Sequence, residues 1–322
     1  MAIEFEFIAG RGFDFAATFA QRFNLEVKNH QVNVPDTLGA GTIKEVYLEN
    51  DISLCMHNYQ LKDTFVLKRL ASSAQDQLSI KIDGRKNTAW DNNYAIEIST
   101  MNLFTTARLV PGQAVNFMAI TITRQSLFNL LQLSDEHREM ADMLMNNPSF
   151  VLHEGLTQEM ERVLNQLQQI NDTTPLAKLL FQNKTQELIY LLFVKLLTRP
   201  VNTSIPVHQD DAEKIYAVRS AILADLSLTP QLSKLASGIG MSATKMKQLF
   251  RQIFGESIYN YYQAARMGEA ARLLKQLSVS ETGYKIGFTN MSHFSRLFER
   301  HYQMKPKRYK DTMVIIAEQG AQ

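Results

Sequence analysis

The chain of 322 residues, 45% hydrophobic and 20% charged, exceeds the size of one ordinary core and has a composition that excludes extended disorder. Its single cysteine, Cys55, excludes an intramolecular disulfide and a cysteine-cluster metal site and fits a reducing, cytoplasmic setting. The net charge of +2 hides an asymmetry: residues 208–310 hold 16 Lys and Arg against 8 Asp and Glu (+8), residues 1–207 hold 18 against 22 (−4), and Asp311 and Glu318 supply the remaining −2, so the C-terminal part suits an anionic partner such as double-stranded DNA.

Short alternating or β-branched runs at 43–48, 52–56, 64–67, 78–82, 94–98 and 115–122, separated by Gly, Asn and Asp, predict an antiparallel sandwich or small barrel over residues 1–135. The opening MAIEFEFIAGRGFDF lacks an apolar signal core and no run of 18 apolar residues occurs, so neither export nor a membrane partner is expected.

After Arg124 the spacing turns helical. Met160, Val163, Leu164, Leu167 and Ile170, then Leu176, Leu179, Leu180, Leu188, Leu191, Leu192 and Leu196, predict two antiparallel helices within 136–200, joined near 171–175. Their apolar faces have two readings, packing onto the β domain and forming the interface of a homodimer, and both can hold. The segment RPVNTSIPVHQ carries two prolines and reads as an interdomain linker, placed at 201–209. Residues 210–311 read as helix after helix, with 312–322 as a tail.

Within 232–254 (LSKLASGIGMSATKMKQLFRQIF) the pattern is helix, tight turn, helix. Ala236 is small enough for two helices to cross closely, Gly240 can take the positive φ of a turn, and Ser242 is suited to cap the second helix. Met246, Leu249, Phe250, Ile253 and Phe254 form one stripe; Thr244, Lys245, Lys247, Gln248 and Arg251 form the opposite face, with groups able to donate to phosphates and base edges. One such helix is more often merely solvated, but here the pattern recurs. IGMS at 239–242 is echoed by IGFT at 286–289, Ala236 by Gly283, Leu249 and Phe250 by Leu297 and Phe298, and Tyr261 by Tyr309. Residues 257–276, free of proline, predict one continuous connecting helix; twenty residues span roughly 30 Å, close to the repeat of successive major-groove faces.

These motifs, together with LFRQIFG at 249–255, YYQAARMGEAARLL at 261–274 and above all GFTNMSHFSRLFERHYQMKPKRY at 287–309, resemble the AraC/XylS family of transcription regulators over about a hundred residues. GMSATKMKQLFRQIFG is most similar to the siderophore-responsive branch. The resemblance implies an α+β chain: a cupin-like antiparallel β domain with a helical pair, then an all-α domain with two helix-turn-helix units joined by a long helix. It implies a second recognition helix from about Asn290 to His301, with Phe294, Leu297 and Phe298 inward and Asn290, Met291, Ser292, His293, Ser295, Arg296 and Arg300 outward or near the backbone. Arg296 is the expected anchor to guanine or phosphate, against an internal salt bridge with Glu299 or Glu281. Three positions depart from the family pattern: Thr282 and Gly283 replace an apolar residue and alanine, and Gln303 stands where a glycine often closes the helix. A less rigid second unit is expected from them.

By the same resemblance the partners are a small-molecule effector sensed by the β domain and RNA polymerase, in an activator-type regulator without a catalytic group or cofactor. The residues themselves identify no ligand. His30, His57, His137 and His153 are too widely spaced to suggest a metal-binding cupin, and Trp90, Tyr94, Phe104 and Phe117 could line a pocket but are more often core. Two alternatives stay open: a cupin-type metalloenzyme fused to a DNA-binding domain, and a regulator controlled by a protein partner.

Overall fold

The computed structural model describes residues 2–83, 95–199 and 206–319. These fall into two compact units, one reaching Gln209 and a helical one from Asp210 onward.

Among the described residues the first unit is built on ten strands: β1 (Ile3–Ile8), β2 (Gln31–Asn33), β3 (Gly39–Tyr47), β4 (Ser53–Leu61), β5 (Phe65–Leu70), β6 (Gln77–Asp83), β7 (Ile96–Thr100), β8 (Thr105–Leu109), β9 (Ala114–Thr123) and β10 (Val151–Glu154). A seven-stranded antiparallel sheet runs β10-β7-β6-β9-β4-β3-β2, and a three-stranded sheet runs β1-β5-β8. All six predicted runs fall on strands, although Tyr94 of the fifth lies outside the described residues. Two features differ from expectation. The pair β1–β5 is parallel, a long-range pairing that no turn signal announces. Strand β10 interrupts the stretch read as wholly helical and pairs with β7, so the sheet extends beyond residue 135; four residues are too few to register as a period.

Alternation along the strands explains how this unit is layered. In β6, Leu78, Ile80 and Ile82 are buried in an aliphatic cluster, while Gln77, Ser79 and Lys81 point to the other face. In β9, Met118, Ile120 and Ile122 join that cluster, while Phe117, Ala119 and Thr121 face away from it. Helices α2 (Arg124–Leu131), α3 (Arg138–Asn146), α4 (Gln158–Gln169) and α5 (Ala177–Leu197) cover the aliphatic face, with Met160, Leu164, Leu167, Leu188, Leu192 and Leu196 packed into it. Both apolar faces of the predicted pair therefore pack onto the β layer. Helix α5 nevertheless keeps Leu179, Leu180, Tyr190 and Val194 outward, 46–64% exposed. On the other side of the sheet, α1 (Phe15–Phe23), which strand-like reading of this region missed, brings Phe15 and Phe19 into a second cluster with Phe5 and Phe65.

Residues 200–205 of the predicted linker lie outside the described residues; its end is anchored, with Val207 buried and its N–H donating to Ser149 O at 2.9 Å.

The second unit consists of α6 (Gln209–Ala224), α7 (Leu232–Gly238), α8 (Ala243–Phe254), α9 (Ile258–Leu273), α10 (Val279–Lys285), α11 (Met291–Tyr302) and α12 (Pro306–Gln319). Proline at the first position of α12 is suited to start it, and the stretch read as a tail continues this helix to Gln319. The predicted connecting helix is shorter than expected: Ser257 caps α9, and 16 residues, about 24 Å, precede a turn at 274–276.

Candidate nucleic-acid interface and buried cavity

In the first helix pair Gly240 adopts φ +61° in the turn, and Ser242 Oγ accepts the Lys245 N–H at 3.2 Å to open α8. Met246, Leu249, Phe250, Ile253 and Phe254 are buried, and Thr244, Lys245, Lys247 and Arg251 are exposed on the opposite side, with Gln248 half-buried. No carboxylate of the described residues lies within 4.0 Å of the Lys247 ammonium. The ammonium of Lys245 instead meets Asp211 Oδ2 at 2.8 Å.

The second pair repeats this construction. Asn290 Oδ1 accepts the His293 N–H at 3.0 Å to cap α11, and Phe294 and Phe298 are fully buried beneath it. Ser292, His293, Arg296 and Arg300 are exposed and Ser295 half-buried. The expected internal salt bridge of Arg296 does not form among the described residues, and Glu281 is occupied by a capping box in which it accepts the Ser278 N–H at 2.8 Å. Met291 departs from its expected outward position: its side chain packs against the interior cluster, where a Cβ added to Gly283 would lie 2.6 Å from Met291 Sδ. Gly283, read above as a source of looseness, is what lets α11 approach α10 this closely. Gln303 closes α11 at φ +53°, the conformation that Gly255 adopts at φ +80° after α8.

Arg266, which sequence reasoning passed over, joins the second pair to α9. Its guanidinium is buried, donates from Nε and Nη2 to Ile286 O at 3.1 and 2.7 Å, and lies 3.8 Å from the centre of the Phe288 ring. The turn before α11 is thereby fixed to the connecting helix. Nothing in the local pattern marks Arg266, because its burial depends on Phe288 across the turn.

The first unit holds a partly open cavity of about 470 Å³ between its two sheets. Stacked rings of Phe7 and Phe13, 5.4 Å apart, and Phe15, edge-on to Phe7 at 5.1 Å, form one side. The polar residues of β3, β4, β6 and β7 form another, with Glu45, His57, Gln77 and Lys81 among them. His57 is stacked on Phe117 at 3.8 Å; burial, with a contribution from the Lys81 charge, lowers its pKa to about 3 and keeps it neutral. Burial raises the Glu45 carboxyl to about 7, and pushes the Cys55 thiol well up, which removes the thiolate that a nucleophile or metal ligand needs. Glu45 Oε2, His57 Nδ1 and Gln77 Oε1 are buried without a hydrogen-bond partner among the described residues. Of the four aromatics considered for a pocket, Phe117 lines this one, Phe104 is half-buried, and Trp90 and Tyr94 lie outside the described residues. In the strands the cavity wall reads as polar residues alternating with isoleucines, a pattern shared by any strand with one solvated face.

Among the described residues no group of three His, Cys, Asp or Glu is placed to hold a metal ion, and no helix is long and apolar enough to cross a membrane.

Residues 235–312 match the family model described as a helix-turn-helix domain. Regulatory protein PchR of Pseudomonas aeruginosa is 39% identical over 64 residues, 20% of this chain and 22% of that protein. The transcriptional activator RhaR of Yersinia pseudotuberculosis is 27% identical over 106 residues, 32% of this chain and 37% of that protein. The chain thus spans well under half the length of these two relatives. The structure of a transcriptional regulator with an AraC-type DNA-binding domain from Chromobacterium violaceum overlaps 32% of this chain and 95% of its own at 24% identity, with a TM-score of 0.30.

Proposed function

We propose that this chain, whose residues 235–312 match a helix-turn-helix domain and whose C-terminal part is similar to PchR and RhaR, is a sequence-specific transcription regulator of the AraC/XylS type whose N-terminal cavity senses a small molecule. The observation that carries the reading is the duplicated construction of α7–α8 and α10–α11: each second helix opens on a side-chain cap, buries an aromatic stripe and turns a basic face outward.

In this reading α8 and α11 enter adjacent major-groove segments, as two helix-turn-helix units. Thr244, Lys247, Gln248 and Arg251 act from the first, and Ser292, His293, Ser295, Arg296 and Arg300 from the second. Ser242 and Asn290 bring the amide ends of their helices toward phosphate, while Lys245 and Met291 serve the interface from their packed positions. The β unit is cupin-like in role, binding an effector that shifts promoter occupancy or contact with RNA polymerase. The outward residues Leu179, Leu180, Tyr190 and Val194 of α5 are the surface for a homodimer.

Genome-wide DNA capture with the full-length protein, followed by salt-titrated binding to the enriched site, tests the proposal. Two short elements about one helical turn apart, bound far more tightly than random DNA, are expected. Uniformly weak binding to all sequences, with and without cell-extract metabolites, overturns it.

A further inference from the structure

We propose that the cavity of the N-terminal unit binds a small hydroxylated ring carboxylate, with the carboxylate seated on Lys81 and the ring against Phe7, Phe13 and Phe15. The inference rests on the reading of this cavity as the effector site and names the chemistry of its occupant.

Lys81 is the centre of the argument. It stands on the cavity face of β6, directly across from Glu97 of β7 and Ala119 of β9. Glu97 is oriented toward His153, with Oε2 3.8 Å from Nε2, and no carboxylate of the described residues lies within 4.0 Å of the Lys81 ammonium. What the ammonium does meet is the Phe117 ring, 5.7 Å from its centre. A half-buried cation on a partly enclosed wall, with its cross-strand carboxylate Glu97 turned toward His153, has room for a closer counter-charge, so a ligand that supplies an anion gains more here than at a fully solvated lysine.

The neighbouring positions are suited to a carboxylate. Ala119 is the smallest side chain on that stretch of β9 and leaves a hollow beside Lys81 between Phe117 and Thr121. One step along β6, Ser79 lies directly across from Thr121, which puts two hydroxyl donors on the same floor as the ammonium. Two polar oxygens remain, Glu45 Oε2 and Gln77 Oε1, on side chains only 4% and 5% exposed and without a hydrogen-bond partner among the described residues. A ligand hydroxyl, which both donates and accepts, satisfies either one in either protonation state of Glu45, whereas an unmatched polar atom there carries its full desolvation cost. The three phenylalanines supply a wall of ring faces and edges, and about 470 Å³ accommodates a compact ring compound rather than a macromolecular segment.

The test is calorimetry on the full-length chain with 2-, 3- and 4-hydroxybenzoate, the corresponding hydroxybenzamides as neutral isosteres, and neutral hexoses. At least one acid is expected to bind about tenfold more tightly than its amide, with the preference lost in Lys81→Met and retained in Lys81→Arg. Equal binding of acid and amide, a preference that survives Lys81→Met, binding by the hexoses instead of the acids, or no binding by any acid at millimolar concentration each overturns the proposal. Operator affinity in the wild type and in Ala119→Trp, which fills the hollow, tests the underlying reading separately. If an amide or a hexose alters operator affinity and Ala119→Trp abolishes the effect, the effector reading stands and the carboxylate proposal falls. If an acid binds through Lys81 without altering operator affinity, the carboxylate site stands and the effector reading falls.

Discussion

Lys245 and Asp211 are bound to each other, Nζ to Oδ2 at 2.8 Å, with the Asp211 side chain only 10% exposed. A lysine on the basic face of α8 is thereby committed to holding α6 against α8, while Lys247 two positions on is exposed and unpaired among the described residues. The two lysines are expected to separate in a salt titration of DNA binding. Lys247→Ala should weaken binding to all sequences alike and reduce the salt slope by about 1, without loss of stability. Lys245→Ala should instead cost on the order of 1 kcal/mol in stability, because it strands a largely buried carboxylate, with a smaller change in slope. Equal slopes in the two variants would show that the ion pair opens on DNA and that both lysines neutralise phosphate.

Arg296 carries the sharpest specificity prediction. It is exposed on α11, and its expected alternative partner Glu281 is held by the Ser278 N–H. Arg296→Ala is expected to cost about 1–3 kcal/mol on the specific site and far less on random DNA, with the thermal midpoint unchanged. An equal loss on both DNAs would assign Arg296 to phosphate rather than to a base.

The helical half was legible because its signals are local. Gly240, Ser242 and the stripe from Met246 to Phe254 lie within one or two turns of each other, and their recurrence around Gly287 and Phe294 distinguishes them from an ordinary solvated helix. What escaped depends on residues distant in sequence. Arg266 reads as one more base on a charged helix until Phe288 covers it, and Met291 reads as outward until the missing Cβ of Gly283 gives it a place. Gln77, Ser79 and Lys81 look like the solvated face of a strand, because alternation cannot distinguish water from a polar cavity closed by a second sheet.

Arg266 should be a positioning residue for the second helix pair. Arg266→Met leaves the buried Ile286 carbonyl without its two donors, at a cost of about 2–3 kcal/mol. Hydrogen exchange should accelerate across 279–302 while 243–254 stays protected, and specific binding should fall at the half of the operator read by α11. Arg266→Lys is not expected to rescue, since an ammonium has no planar fork with which to donate twice to Ile286 O while lying over the face of the Phe288 ring. Uniform deprotection of both helix pairs would make Arg266 a general core residue.

Gln303 occupies the left-handed region at φ +53° with a side chain that only reaches back to Arg300 O at 3.0 Å. Relief of that strain should outweigh the lost hydrogen bond and the added freedom of the unfolded chain, so Gln303→Gly is expected to stabilise by about 0.5–1 kcal/mol. Gly255→Ala, at φ +80°, should destabilise by about 1–2 kcal/mol. Chemical denaturation of both variants gives the comparison, and a destabilised Gln303→Gly would mean that the contact to Arg300 outweighs the backbone strain.

The cavity groups predict an opposed pH dependence. His57 has its pKa lowered from 6.5 to about 3 by burial, so the unfolded chain takes up a proton that the folded chain refuses; its contribution is complete above 6.5 and is lost as the pH falls toward 3. Glu45 has its pKa raised from 4.5 to about 7, also by burial, so the folded chain keeps a proton that the unfolded chain releases; relative stability is lost as the pH rises from 4.5 to 7. Each acts at about 1.4 kcal/mol per pH unit inside its window, and between 4.5 and 6.5 the two slopes cancel. Denaturant unfolding at pH 5 and pH 6.5 should therefore differ little in the wild type. His57→Gln should unmask stability that falls with pH across that interval, and Glu45→Gln stability that rises with it. Because the readout is the sign of the slope, a uniform loss of stability in either variant does not obscure it, and slopes of the same sign in the two variants would refute the assignment.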